Sequence, residues 1–559
     1  RLPNPGESRG GGYGVYYHFD YVGGPRNYKW LNTTQIERTW EQMHLAYEYG
    51  ARQLWIVNVG DLKPMEFPIS FFLDHAWKPE AFGLEQLEAY PARWAAEQFG
   101  ARHAAEIGEL LTRYTQYNAR RKPELLSPET FSLVDDAEAD RVVADWNALV
   151  ERARTIGAAL GPQYRDAYYQ LVEYPVVASA NLTAMYVATA RNRLYAKQGR
   201  TSANAQGDLA RELFERDAEL ARVYEQDIAG GKWLHMMSQP RIGYTGWQQP
   251  DRNIPPALSR VDPKTPASMG VSIDGDAAAW PGAKSTPTLP PLDPFAAKSR
   301  SMTLFNRGTT PFRFEATSSQ PWLRVSPAGG EVNDELALRV DVDWSAVPAD
   351  ARTARITVRG DEGTRVEIEV PIAPRIDART ARGFIETDGR IAIEAAHHVR
   401  AIGNNGVQWK TIPNLGRTLS GVTSFPVTAP ASTIDDEASW LEYPVHFARD
   451  GEFDVRVVIS PTLDFQHRGG LRYAVSIDDE APAIVTVKSD PTPGHADFNA
   501  WTRAVSDSVY VGTSRHRPKA GTRPLRIWRI DPGVVLQRVE IAREGARTSY
   551  LGAPESPRL

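Results

Sequence analysis

The apolar residues of this chain change their repeat along its length, and no single layered core can satisfy both repeats. From about residue 93 to residue 230 they recur at helical spacing, as in "ARWAAEQFGARHAAEIGELLTRYTQYNARRK" and "VVADWNALVERARTIGAAL". From about residue 300 onward they alternate with polar residues, as in "FRFEAT", "LALRVDVDW" and "RVEIEVPI". A helix buries a stripe with a period near 3.6 and a half-buried strand a face with a period of two, so the two regions need separate cores. At 559 residues the chain has room for three or four domains of about 150 residues each.

Ahead of the helical region lies a third pattern. "GVYYHFDY" from Gly14 reads as a strand that stops at Gly23-Gly24-Pro25, and "RQLWIVNVGDL" reads as a second strand that sheds Asn58, Gly60 and Asp61 at its end. Between them, Ile36, Trp40, Met43 and Tyr47 fall on one helical face. Thr34 and Glu37 have capping-box spacing at the start of that helix, and Gly50 closes it. This is a β-α-β unit with parallel strands, as found in a (β/α) barrel or a doubly wound sheet. Ligands of such folds gather at the carboxy ends of the strands.

Long helices with short connections predict a helical bundle, with Pro175 interrupting one helix. Residues 233–297 are Pro- and Gly-rich and read as linker. Short strands at sandwich spacing then predict a small Ig-like β-sandwich over 298–375, and a second series from Gly383, with "EFDVRVVIS" and "LRYAVSID", predicts another over 376–559.

Composition narrows the function. A formal net charge of −5 without a basic block argues against a nucleic-acid surface. The absence of cysteine removes disulfides and thiolate metal sites, and no apolar run is long enough for a transmembrane helix. Fifteen Trp and twenty-two Tyr fit ring-shaped, hydroxylated ligands such as sugars. The chain starts at Arg1 without an initiator Met or a signal-peptide pattern, and the expectation is a C-terminal fragment.

The two strand ends hold the candidate chemistry. Asp20 and Asp61 are the carboxylates that acid–base glycoside hydrolysis would use, against the plain alternative of ion pairs or helix caps. His18 sits beside Tyr17, Tyr21 and Asp20, and Asn58 ends the neighbouring strand. Arg26 follows the Gly-Gly turn, where its guanidinium could fork onto an acidic sugar. Trp30 could stack on a sugar or pack as core. Glu66 could be catalytic or could simply favour its helix N-terminus. His235 has no partner at metal-ligand spacing.

"YYHFDYVGGPRNYKWLNTT", "WIVNVGDLKPMEFPISFFLDHAW", "RRKPELL", "QLVEYPV", "KWLHMMSQPRIGYTGWQQP" and "GFIETDGRIAIEAAH" together resemble glycoside hydrolase family 115. The resemblance implies a xylan α-1,2-glucuronidase that removes glucuronic or 4-O-methylglucuronic acid from glucuronoxylan with inversion and without a cofactor. It also implies a multidomain fold of three classes, α/β, all-α and all-β: the C-terminal part of a TIM (β/α)8 barrel over residues 1–92, a helical domain over 93–232 that forms a homodimer, and C-terminal β-sandwiches. His18, Tyr21 and Asn58 match positions lining the family's uronic acid pocket, with Arg26 and Asp61 as neighbours; Tyr17, beside His18 on the strand, is a further substrate-binding candidate. The family's general acid matches a position upstream of this chain, so the fragment alone is expected to be inactive. The enzyme is expected to be secreted or periplasmic, with no nucleic-acid or membrane partner. The competing expectation is a non-catalytic carbohydrate-binding protein using Trp409, Trp440 and Trp501 as a platform.

Overall fold

A computed structural model describes the chain except for residues 1, 4–8, 264–265, 297 and 436. Strands β1 (Gly14–His18) and β2 (Leu54–Asn58) form a parallel pair in which His18 faces Asn58, with helix α1 (Ile36–Glu48) as the crossover. The β-α-β unit is therefore present. Two strands do not close a barrel, and the TIM expectation is met only to the extent of this unit. Val15, Tyr17, Trp55 and Val57 pack on Met43 of α1 and on Phe72 of α2 (Glu66–Trp77). The alternate residues Tyr16, Leu54 and Ile56 stay exposed, so helices cover one face of the pair rather than the two expected of a parallel sheet.

Gly50 ends α1 as expected. It has φ +92°, its amide donates to Tyr47 O, and the Ala51 amide donates to Ala46 O, a Schellman closure that needs a left-handed residue. The capping box does not form: Gln35 occupies the cap position and makes no side-chain cap bond. Its Nε2 instead donates to the carbonyls of Asn414 and Gly416 in the distant sandwich, and Glu37 is buried. Tertiary contact has overridden the local motif.

The helical layer comprises α3 (Leu84–Phe99), α4 (Ala104–Arg120), α5 (Glu138–Ala159), short α6 (Arg165–Tyr168), α7 (Tyr174–Gln198) and α8 (Ala203–Arg222). Pro175 does not break its helix. It sits in the first turn of α7, directly after a π turn over Tyr169–Glu173, where its missing N–H costs little. No helix among the described residues is long and apolar enough to cross a membrane.

The small sandwich begins earlier than its expected boundary. Strand β3 (Met269–Ile273) lies inside the stretch read as linker, is buried throughout and pairs with β4 (Ser299–Asn306). Then follow β5 (Phe312–Ser318), β6 (Leu323–Ser326), β7 (Gly329–Val332), β8 (Glu335–Val342), β9 (Thr353–Gly360) and β10 (Arg365–Pro371). They form two four-stranded sheets, β10-β9-β5-β7 and β3-β4-β8-β6. The C-terminal sandwich, over residues 384–543, is built of two six-stranded sheets with a helix, α9 (Phe498–Asp507), between strands. Its Ile412, Leu415 and Val535 belong to the same apolar cluster as the helices, and Leu45 of α1 belongs to the sandwich cluster. The layers share their cores.

Candidate functional site

The parallel register sets His18 against Asn58 at the carboxy end of the pair. Asn58 Oδ1 accepts from the Gly60 amide at 3.1 Å, which leaves Nδ2 to approach His18 Nδ1 at 3.3 Å. In the neutral imidazole that contact makes Nδ1 the acceptor and places the ring proton on Nε2. The Asn58 carbonyl also accepts from the Phe19 amide at 2.8 Å, so one residue organises both strand ends.

Asp20 follows at once. It is buried, and its Oδ1 has no hydrogen-bond partner. Burial raises its carboxyl above the usual range, while Lys29 and the Tyr21 amide pull it down, Asp61 pushes it up again and His18 lowers it. Gly60, at φ +65°, passes so close that any β-carbon there would collide with the Asp20 carboxylate. Asp61 is exposed, near enough for its charge to act on Asp20. Histidine, asparagine and two carboxyls thus share one rim.

Tyr21 leaves this rim in a closed turn. Its hydroxyl donates to Gly24 O at 3.1 Å, and its ring stacks on Tyr28 at 5.2 Å. Arg26 donates to the carbonyls of Glu124 (2.9 Å) and Gly246 (3.3 Å) and lies over the Tyr244 ring, so its guanidinium fastens the loop to the helical layer. Tyr17 projects from the opposite face of β1 to His18, against α1, where burial raises its phenol above the ordinary range. Trp30 is buried beneath the Arg241 guanidinium, and Arg241 pairs with the equally buried Asp217 at 2.8 Å. Glu66 is ion-paired with Lys63 and accepts from Gln170 at 2.7 Å.

Sequence reasoning missed Glu124. Its Oε1 accepts from the amides of Lys29 and Trp30 at 3.0 and 3.1 Å, and with its carbonyl on Arg26 it fixes the whole 26–30 loop. The signal available was its place in "RRKPELL", which names the residue without its partner. The tryptophans proposed as a platform are scattered. Trp409 and Trp440 sit in different sheets of the sandwich, and Trp501 stacks on Phe498 of α9.

The family model "Glycosyl hydrolase family 115" matches residues 1–125, and "Glycosyl hydrolase family 115 C-terminal domain" matches residues 383–555. "Viral BACON domain" matches residues 293–373, over the small sandwich. Together the two family-115 matches lie at the two ends of the described chain, over the β-α-β unit with the first helices and over the C-terminal sandwich. No curated protein matches. Among solved structures, a family GH115 4-O-methyl-α-glucuronidase with specificity for decorated arabinogalactans superposes at TM-score 0.60 with 18% identity, over 97% of this chain and 53% of its own. The chain thus spans about half the length of that structure. The C-terminal CBM6 of a marine laminarinase from Zobellia galactanivorans (TM-score 0.18, 17% identity, 28% of this chain and 99% of its own) also matches. So does a family 35 carbohydrate binding module from Clostridium thermocellum (0.19, 10%, 27% and 97%). Both overlaps are too slight to support an argument about fold.

Proposed function

The chain belongs to glycoside hydrolase family 115, and from that premise we propose that it serves the hydrolysis of α-1,2-linked glucuronic or 4-O-methylglucuronic acid side chains of xylan, with inversion. The observation that carries the reading is Asp20: a buried carboxyl with a raised pKa and an unbonded oxygen, at the strand end that also presents His18 and Asn58. Burial shifts the Asp20 carboxyl toward its protonated form, the direction that supports proton donation to a departing glycosidic oxygen, alongside the general acid that the family resemblance assigns to another position. Asp61, exposed on the same rim, takes the part of the base that accepts a proton from the attacking water. His18 Nε2–H and Asn58 orient the sugar, and Tyr21 and Arg26 shape the loop beside it.

The uronic acid is read as an end group, so the glycan that bears it is open to comparison. Because the similar glucuronidase is specific for decorated arabinogalactans, such an arabinogalactan is the second substrate to assay. The protein that carries this chain is expected to release uronic acid from glucuronoxylan, first as the β-anomer by NMR, and to retain that activity in EDTA because no metal enters the mechanism. Asp20→Asn should lower kcat by about 100-fold or more, in the range of lost acid–base catalysis. Release of no uronic acid from either glycan would overturn the reading. A polymeric substrate is met outside the cytoplasm, which supports the reading of a secreted or periplasmic protein; light scattering tests the proposed homodimer through the helical domain.

A further inference from the structure

Far from the β-α-β unit, the inner face of the C-terminal sandwich holds a serine, a histidine and a glutamate in one hydrogen-bonded chain. Strand Tyr510–His516 is the edge of one six-stranded sheet, and strand Ala483–Val487 is the edge of the other. Along the first of these, Tyr510, Gly512, Ser514 and His516 are buried while Val511, Thr513 and Arg515 between them are exposed, so Ser514 and His516 point to the same, inward side. His516 Nε2 lies 2.8 Å from Ser514 Oγ, and His516 Nδ1 lies 2.8 Å from Glu480 Oε2. Glu480 Oε1 in turn accepts from the Arg517 amide at 2.8 Å, which fixes the carboxylate.

These contacts select the tautomer. An ionised carboxylate can only accept, so in the neutral ring the proton sits on Nδ1 and donates to Glu480, while Nε2 accepts from the serine hydroxyl. Nucleophile, base and orienting carboxylate therefore stand in the order that activates a serine oxygen.

A second observation points to a ligand beside Ser514. Tyr473 is 1% exposed, and its hydroxyl has no hydrogen-bond partner among the described residues. A donor buried in this way costs free energy that phenylalanine would not incur, unless something outside the protein uses it. The hydroxyl stands closer to Gly512 than a β-carbon there would tolerate, so the glycine admits it one inward-facing position along the strand from Ser514. Burial raises the phenol above its ordinary range and keeps it a donor.

We propose that Ser514, His516 and Glu480 form an acyl-transfer site that hydrolyses small carboxylic esters of acetyl size, with the Tyr473 hydroxyl donating to the carbonyl oxygen. Ser514 is 8% exposed, which admits a short acyl group and excludes a long one. Its Oγ bonds to the ester carbonyl carbon while His516 Nε2 takes the hydroxyl proton, and that proton passes to the departing alcohol oxygen as the ester C–O bond breaks. Water then repeats the sequence on the acetylated serine, releasing acetate and restoring Ser514. Glu480 touches no reacting atom and is a positioning residue.

The unaltered protein is treated with a fluorophosphonate, which phosphonylates base-activated serines, and separately with p-nitrophenyl acetate followed by acid quenching; peptide mass spectrometry locates the adducts. Ser514 should take up both groups about tenfold or more faster than the exposed Ser285. Tyr473→Phe removes a hydroxyl that no other described group uses, so the variant should fold, and its Ser514 should be acetylated about 100-fold more slowly, in the range of a lost oxyanion donor. Glu480→Gln should slow acetylation about tenfold or more, and Glu480→Asp should recover part of that loss. No adduct on Ser514 in the unaltered protein, a rate no higher than that of Ser285, or an unchanged rate in folded Tyr473→Phe would each overturn the proposal.

Discussion

Asp20 is held in place by a glycine. At Gly60 a side chain would enter the space of the Asp20 carboxylate, and φ +65° already disfavours any L residue. Gly60→Ala should therefore reduce activity by about tenfold or more, as expected for a displaced reacting group, at a temperature where the variant, destabilised by about 1–2 kcal/mol of backbone strain, is still folded. An activity loss that merely tracked unfolding would contradict this. Glu37 gives a stability prediction at the same scale. It is buried, and burial raises its pKa to about 7 against an ordinary 4.5. Between those two values the folded chain keeps a proton that the unfolded chain has released, so stability must fall as pH rises from 4.5 to 7. Glu37→Gln should remove this dependence and gain roughly 3 kcal/mol relative to the parent at pH above the window, and nothing below it. Denaturant titrations on both sides of the window check the sign. None of this is legible in the sequence: Glu37 reads there as half of a capping box, because its spacing from Thr34 is local information and its burial is not.

At the scale of elements the sequence is easier to read. The β-α-β unit, the order of helices and strands, and the closure at Gly50 all follow from periodicity and turn chemistry within a few residues. How two helices approach each other does not. Pro91 lies inside α3, and Gly108 of α4 packs on that turn so tightly that a β-carbon would stand 2.6 Å from the Ala92 nitrogen and 2.8 Å from the Pro91 carbonyl carbon. Backbone cannot yield as a flexible side chain does. Gly108→Ala should cost about 1–3 kcal/mol despite alanine's better helix propensity, because overpacking outweighs the ~1 kcal/mol that propensity would return. Thermal unfolding of the variant decides it, and any rise in melting temperature would show that α3 moves aside. The π turn ahead of Pro175 teaches the same lesson. The proline is visible in the sequence, yet whether it breaks the helix or is absorbed depends on what α7 packs against.

Over the whole molecule, contacts distant in sequence tie the layers into one body. Gln116 of α4 donates to the carbonyls of Asn414 and Leu419, and Arg121 pairs with Asp507 at 2.6 Å. Near the C-terminus Tyr550 joins them, with its ring near Phe131, its hydroxyl on Arg120 O and Asp507, and its amide on the buried Glu138. Tyr550→Ala should destabilise by about 3–5 kcal/mol, as for other large aromatic truncations, and should separate helical and sandwich unfolding into two calorimetric transitions. A single transition at the parent temperature would show that the layers are joined elsewhere. By itself the sequence determined the kinds of element, their order and the polar residues at the ends of β1 and β2, because hydrogen-bond geometry and hydrophobic periodicity act over a few residues. Only the tertiary structure decided which polar groups would be desolvated and by whom: Arg26 is fastened by a carbonyl 220 residues away, Gln35 is drawn to a sandwich loop, and Lys122 donates to the Thr33 hydroxyl 89 residues away. Burial depends on what distant chain covers a residue, and that information is spread over all the contacts at once.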